Sequence, residues 1–133
     1  MYSITVRNNI LIAHSLPGEV FGTAQNMHGA TYVVDAEFFA ENVNKYNIIM
    51  DLGVVTDILS EVLKFYSYKN LDEVDAFKGI ITSTEFLAKD IHDRICSKLK
   101  SNYYKDYQLL HKLKITLTES NVAWASFEQE IEK

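Results

Sequence analysis

The chain has 133 residues, 47% of them hydrophobic, with 13 Lys and Arg against 18 Asp and Glu for a formal net charge of -5. A single Pro and a single Cys among so many apolar residues fit one compact domain over residues 1–133 and exclude a disulfide-built or low-complexity chain. The acidic balance argues against nucleic acid as a partner, and there is neither a basic leader nor an apolar run long enough for a membrane span, so the expectation is a cytoplasmic protein.

In residues 2–13, β-branched and polar side chains alternate as in a strand, with Asn8 and Asn9 marking a bulge or turn within it. Pro17, Gly18 and Gly22 place a loop next. Residues 28–39 read as a second long strand. Its period of two puts His28, Ala30, Tyr32 and Val34 on one face and Thr31, Val33 and Asp35 on the other.

Leu52, Val55, Leu59, Val62 and Tyr66 then form one apolar stripe at helical spacing. Thr82-Ser83-Thr84-Glu85 has the form of a capping box, with the Thr82 hydroxyl and the Glu85 carboxylate satisfying free amides at the start of a second helix that runs to about Lys100. The lone Cys96 lies on this helix and reads as an inert thiol. Tyr103, Tyr104 and Tyr107 interleave with Lys98, Lys100, Lys105, Lys112 and Lys114. Without a nucleic-acid-binding motif, the stretch reads as a solvated connector.

Residues 114–118 and 122–131 close the chain as two strands, with Glu119-Ser120-Asn121 as a tight turn between them. Two strands, two helices and two strands in that order predict an α+β fold: a four-stranded antiparallel sheet with both helices on one face. Val33, Phe39 and Trp124 on the other face call for cover by another subunit, so self-association is expected.

Six segments carry a family likeness: Ile12-Ala13-His14, His28-Gly29, Met50-Asp51-Leu52, Lys69-Asn70-Leu71-Asp72, Thr82-Ser83-Thr84-Glu85 and Leu117-Thr118-Glu119-Ser120. In this order they resemble the 6-pyruvoyl-tetrahydropterin synthase and 6-carboxy-tetrahydropterin synthase family, whose tunnelling fold has the same succession of elements. The resemblance implies a pterin-like small molecule as substrate, zinc as cofactor, and a ring-like hexamer with pockets where subunits meet. It implies that Glu119 anchors the pterin, its carboxylate accepting two parallel hydrogen bonds from the 2-amino group and the adjacent ring N–H. Ser83, Thr84 and Glu85 would add contacts from the helix N-terminus.

His14 and His28 match two of the family's three zinc histidines, but the third position is Ala30, and a methyl group cannot coordinate. Two imidazoles are one protein ligand short of a catalytic zinc site. Glu19, Gln25 or Asn26 fills in, or the site is empty or weakly held; His92 and His111 are placed less well. The family's catalytic cysteine or glutamate is replaced by Ala24 and Gln25, and its Asp-His pair by Ser67-Tyr68. Tyr68 or Glu19 is then the replacement acid or base. Three readings follow: a diverged synthase of carbon–oxygen lyase type, a pterin- or purine-binding protein without turnover, and a module that kept only the fold.

Overall fold

The computed structural model describes all 133 residues. It holds five strands, β1 (Tyr2–His14), β2 (His28–Ala40), β3 (Lys69–Asn70), β4 (Lys112–Ser120) and β5 (Ala123–Glu130), and two helices, α1 (Leu52–Leu63) and α2 (Thr84–Asn102). The strands form one sheet in the order β3-β1-β2-β4-β5. All neighbours are antiparallel except β3, which runs parallel to β1 through Ile12 and Ala13. The expected sheet of four antiparallel strands is therefore corrected to a mixed sheet of five. A two-residue strand has no period to read. It is drawn to the edge by the Tyr68 amide, which donates to the Leu11 carbonyl at 2.6 Å.

β1 runs through Asn8 and Asn9 without a bulge, in unbroken register with β2 from Tyr2 opposite Ala40 to His14 opposite His28. The Asn8 side chain accepts from the Asn9 amide at 2.8 Å, and both asparagines stay exposed, so neither interrupts the ladder. Alternation holds along β2, where Tyr32, Val34, Ala36, Phe38 and Ala40 are buried. β4 sends Leu113, Ile115 and Leu117 to the same layer.

α1 lies over β1, and α2 lies over β4 and β5. Their inward residues, Val55, Ile58 and Leu59 from α1 and Leu87, Ile91, Ile95 and Leu99 from α2, complete the core. Burial of each of these large apolar side chains stabilises by about 1.5–3 kcal/mol. Leu52 departs from the expected stripe: it is 56% exposed, because it stands in the first turn beside the cap, and Asp51 Oδ1 there accepts from the Val54 amide at 3.0 Å. Where the helices meet, Asp90 accepts from the Tyr66 hydroxyl at 2.5 Å and from Arg94 Nε at 2.8 Å.

The opposite sheet face carries polar pairs. Arg7 donates to both oxygens of Asp35 at 2.7 and 3.0 Å, and Lys112 lies 2.7 Å from Glu128. Trp124 is on this side, opposite Thr118, and is 65% exposed. No helix is long and apolar enough to cross a membrane. The register brings the end of β1, the start of β2 and the end of β4 to one end of the sheet, while Tyr2 and Glu130 lie at the other.

Candidate functional site at one end of the sheet

His14 and His28 face each other directly across β1 and β2. Their ring centroids are 4.6 Å apart with the planes inclined at 65°. His14 is 1% exposed, and its Nδ1 lies 3.0 Å from the Thr82 hydroxyl. His28 is half-buried, and its Nδ1 donates to the Asn26 carbonyl at 2.9 Å. A carbonyl only accepts, so the neutral His28 ring has a free lone pair on Nε2. A hydroxyl accepts as well as donates, which makes the same tautomer available to His14. Burial first, then the neighbouring His28, pulls the His14 imidazole below its usual range, against Asp72, Thr82 and Glu119, which raise it.

Thr82 thus does not cap α2. Ser83 takes that place, its hydroxyl accepting from the Phe86 amide at 3.1 Å. Glu85 stands exposed in the first turn with no capping hydrogen bond. Thr82 is buried because its hydroxyl has the imidazole as partner, and a buried hydroxyl needs one.

Glu119 is not in a turn. β4 continues through Ser120, and the reversal falls at Asn121 and Val122. Thr118 pairs with Trp124 and Ser120 with Ala123, so the register shifts at Glu119, which sits in a bulge with no partner on β5. Bulges re-aim the side chains they carry. The Glu119 charge is felt at both His14 and Tyr32, so the bulge holds the carboxylate within electrostatic reach of these two residues.

Tyr32, on the face of His28 by the strand period, is one residue of the site with no role assigned from sequence. Its hydroxyl is 3.3 Å from Thr84 Oγ1, tying β2 to the first turn of α2. Burial is the main cause that pushes the Tyr32 phenol above its usual range, with the charges of Glu119 and Glu85 adding and the Thr84 hydrogen bond opposing. Asp72 is a second such residue: its Oδ2 accepts from the Ser15 amide at 3.0 Å and the Ser15 hydroxyl at 2.5 Å, holding the chain just past His14. Period two was the signal for Tyr32; nothing local pointed to the contact between Ser15 and Asp72.

The loop between β1 and β2 is closed by the Leu16 amide donating to the Ala24 carbonyl at 3.0 Å. Gly22 turns it at φ 56°, a conformation open to glycine. Glu19 opens a short helical turn here and is exposed, while the Gln25 amide donates to the Gly22 carbonyl at 3.1 Å. Asn26 serves His28 through its backbone. Ala30 lies on the face of His28, half-buried opposite Ile12. No three His, Cys, Asp or Glu side chains stand together as a metal-holding group. The residues present therefore do not make up the three-ligand set of a catalytic zinc.

Tyr68 is 84% exposed and lies beyond β1, away from the strand that carries Glu119. Its φ of 61° is unusual for a bulky side chain and costs on the order of 1 kcal/mol or more. His92 is buried in α2 against Phe127, and His111 lies just ahead of β4; neither approaches the pair.

Paired imidazoles, a buried tyrosine and a carboxylate in a bulge thus stand toward one end of the sheet of a two-layer α+β protein, with Thr82 and Thr84 tying His14 and Tyr32 to the start of α2. A family model described as 6-pyruvoyl tetrahydropterin synthase matches residues 3–130. A Dictyostelium discoideum protein named 6-pyruvoyl tetrahydrobiopterin synthase is 30% identical over 105 residues, 77% of this chain and 73% of its own length. The Caenorhabditis elegans 6-pyruvoyl tetrahydropterin synthase structure superposes with a TM-score of 0.81 at 23% identity, covering 96% of this chain and 95% of that one. The Plasmodium falciparum synthase gives 0.78 at 15% identity, with 98% of each chain covered. The chain belongs to the 6-pyruvoyl tetrahydropterin synthase family.

Proposed function

We propose that the chain performs 6-pyruvoyl tetrahydropterin synthase-like chemistry, of carbon–oxygen lyase or isomerase type, on the side chain of a dihydropterin-type substrate. The observation that supports this most is the bulge that frees Glu119 from its neighbour strand within electrostatic reach of His14. A carboxylate there offers two oxygens to the adjacent N–H donors of a pterin edge. Ser83, Thr84 and Glu85, with the free amides of the first turn of α2, are the groups to read the remaining ring atoms.

Glu19 and Tyr68 are the groups we assign to proton transfer. In an elimination, Glu19 as a carboxylate takes the proton from a side-chain carbon, and Tyr68 returns one to the departing oxygen as the C–O bond breaks. The edge position and exposed ring of Tyr68 suit a pocket shared with a second copy. We therefore place the working protein in a self-associated form, as a hexamer in the cytoplasm. No step here runs through zinc, because the pair of histidines lacks a third protein ligand.

A second reading is pterin or purine binding without turnover. It is favoured by Ala24 and by Gln25, which is engaged with its own loop and cannot act as a base. Fluorescence titration with a reduced pterin, followed by product analysis, tests both. Binding that Glu119→Ala abolishes, with product formed, supports the synthase-like reading. The same binding with no product supports the second. Binding unaffected by Glu119→Ala overturns the anchor in both.

A further inference from the structure

We infer that Tyr32 is a positioning residue: by donating to the Thr84 hydroxyl it biases the start of α2 toward donation, which selects a pterin whose ring carries an oxo group over one carrying an amino group at the same carbon. The inference rests on the pterin reading above and goes beyond it in naming the residue that sets the choice. Three successive hydroxyls at the start of α2 have three different partners. Thr82 meets His14 on β1, Ser83 accepts from the Phe86 amide, and Thr84 Oγ1 lies 3.3 Å from the Tyr32 hydroxyl on β2. Tyr32 is 2% exposed, and a buried phenol needs a partner, which Thr84 supplies.

A phenol is a far stronger acid than an aliphatic alcohol, so Tyr32 donates in this contact and the Thr84 oxygen accepts. The charges of Glu119 and Glu85, both felt at the buried ring, hold the proton on the phenol. Thr84 is half-buried, and its own hydrogen is left to point away from Tyr32, beside the Thr84 and Glu85 amides, which have no partner inside the helix. Donation by Tyr32 also polarises the Thr84 O–H, as in any chain of hydrogen bonds. A carbonyl oxygen completes the chain. An amino group breaks it: to donate to Thr84 it must displace the Tyr32 proton or leave the Thr84 hydrogen without an acceptor, and a stranded polar hydrogen costs binding. In a pterin the oxo group stands next to the ring N–H that Glu119 would read. Tyr32 feels the charge of Glu119 and touches Thr84, which brings both readers within reach of one ring edge.

The test is the ratio of two dissociation constants, for 6-hydroxymethylpterin and for its 2,4-diamino analogue, read by fluorescence titration. Glu119 meets different ring hydrogens in the two compounds, but equally in every variant, so the change in the ratio between variants is the readout. Tyr32→Phe is expected to lower the preference for the oxo compound by about 2–10-fold, the worth of one neutral hydrogen bond. Thr84→Val should lower it as much, and Tyr32→Phe added to Thr84→Val should lower it no further. Thr84→Ser should keep the wild-type ratio. A merely structural Tyr32 would weaken both compounds alike, so an unchanged ratio in Tyr32→Phe would overturn the inference and leave pterin binding standing. A wild-type chain that binds neither compound would overturn the pterin reading and this inference with it.

Discussion

His14 Nδ1 and Thr82 Oγ1 meet at 3.0 Å in a buried contact that joins the end of β1 to the residue just ahead of α2. Thr82→Val keeps the shape and leaves the imidazole nitrogen without its partner, so the expected loss of stability is about 1–3 kcal/mol, the cost of a buried group left unsatisfied. Thr82→Ser should recover most of it. Urea midpoints of the two variants against wild type measure the difference, and equal midpoints for Val and Ser would mean the contact contributes nothing.

Replacing Glu119 is expected to separate the proposed pterin binding from folding. The residue is exposed and unpaired on β5, so Glu119→Gln should leave the melting temperature within about 2 °C of wild type, as for other exposed surface sites. The amide has one acceptor oxygen and no charge, and loss of a charge-assisted hydrogen bond of about 1.5–3 kcal/mol predicts a pterin Kd raised roughly 10–100-fold. Isothermal titration of both proteins with one pterin decides it.

The depressed His14 imidazole gives stability a pH dependence. In the unfolded chain the ring takes its proton near the ordinary value of 6.5, whereas the folded chain takes it only at lower pH, because burial and His28 oppose the charge. Between those values the unfolded chain binds the proton that the folded chain refuses. The contribution is therefore full above about 6.5 and is lost as pH falls through the window below it. Urea unfolding from pH 7 down to about pH 5 should show wild type losing more stability than His14→Gln; parallel curves for the two would refute this.

Cys96 should be chemically quiet. Burial foremost, then the charge of Asp93, pushes its thiol from 9.0 up to about 12. That shift lowers the thiolate fraction at mildly alkaline pH by about 1,000-fold relative to an ordinary thiol. Iodoacetamide should label the folded chain at least about 100-fold more slowly than the urea-unfolded chain, and comparable rates would contradict the packing around α2.

Where the layers lie was legible because the period of two from Tyr32 to Ala40 and the helical spacing of Val55, Leu59 and Val62 report which face is dry. Contacts between elements were not. Thr82 read as a cap because Thr, Ser and Glu stand at capping spacing, yet a partner 68 residues away in sequence took its hydroxyl and passed the cap to Ser83. Glu119 read as a turn residue because polar residues cluster after Thr118, and only the strand pairing reveals the bulge. β3 left no mark, since its two residues are strand only by virtue of the β1 edge beside them. His14 and His28 were found through their flanking residues, and their 4.6 Å spacing follows from the register.

The register also places Tyr2 and Glu130 at the end of the sheet remote from the paired histidines and the bulge. A fusion partner, fluorophore or surface tether attached at either terminus would extend from that far end. Immobilised through it, the protein would turn the end of the sheet that carries the exposed Glu119 toward the solution.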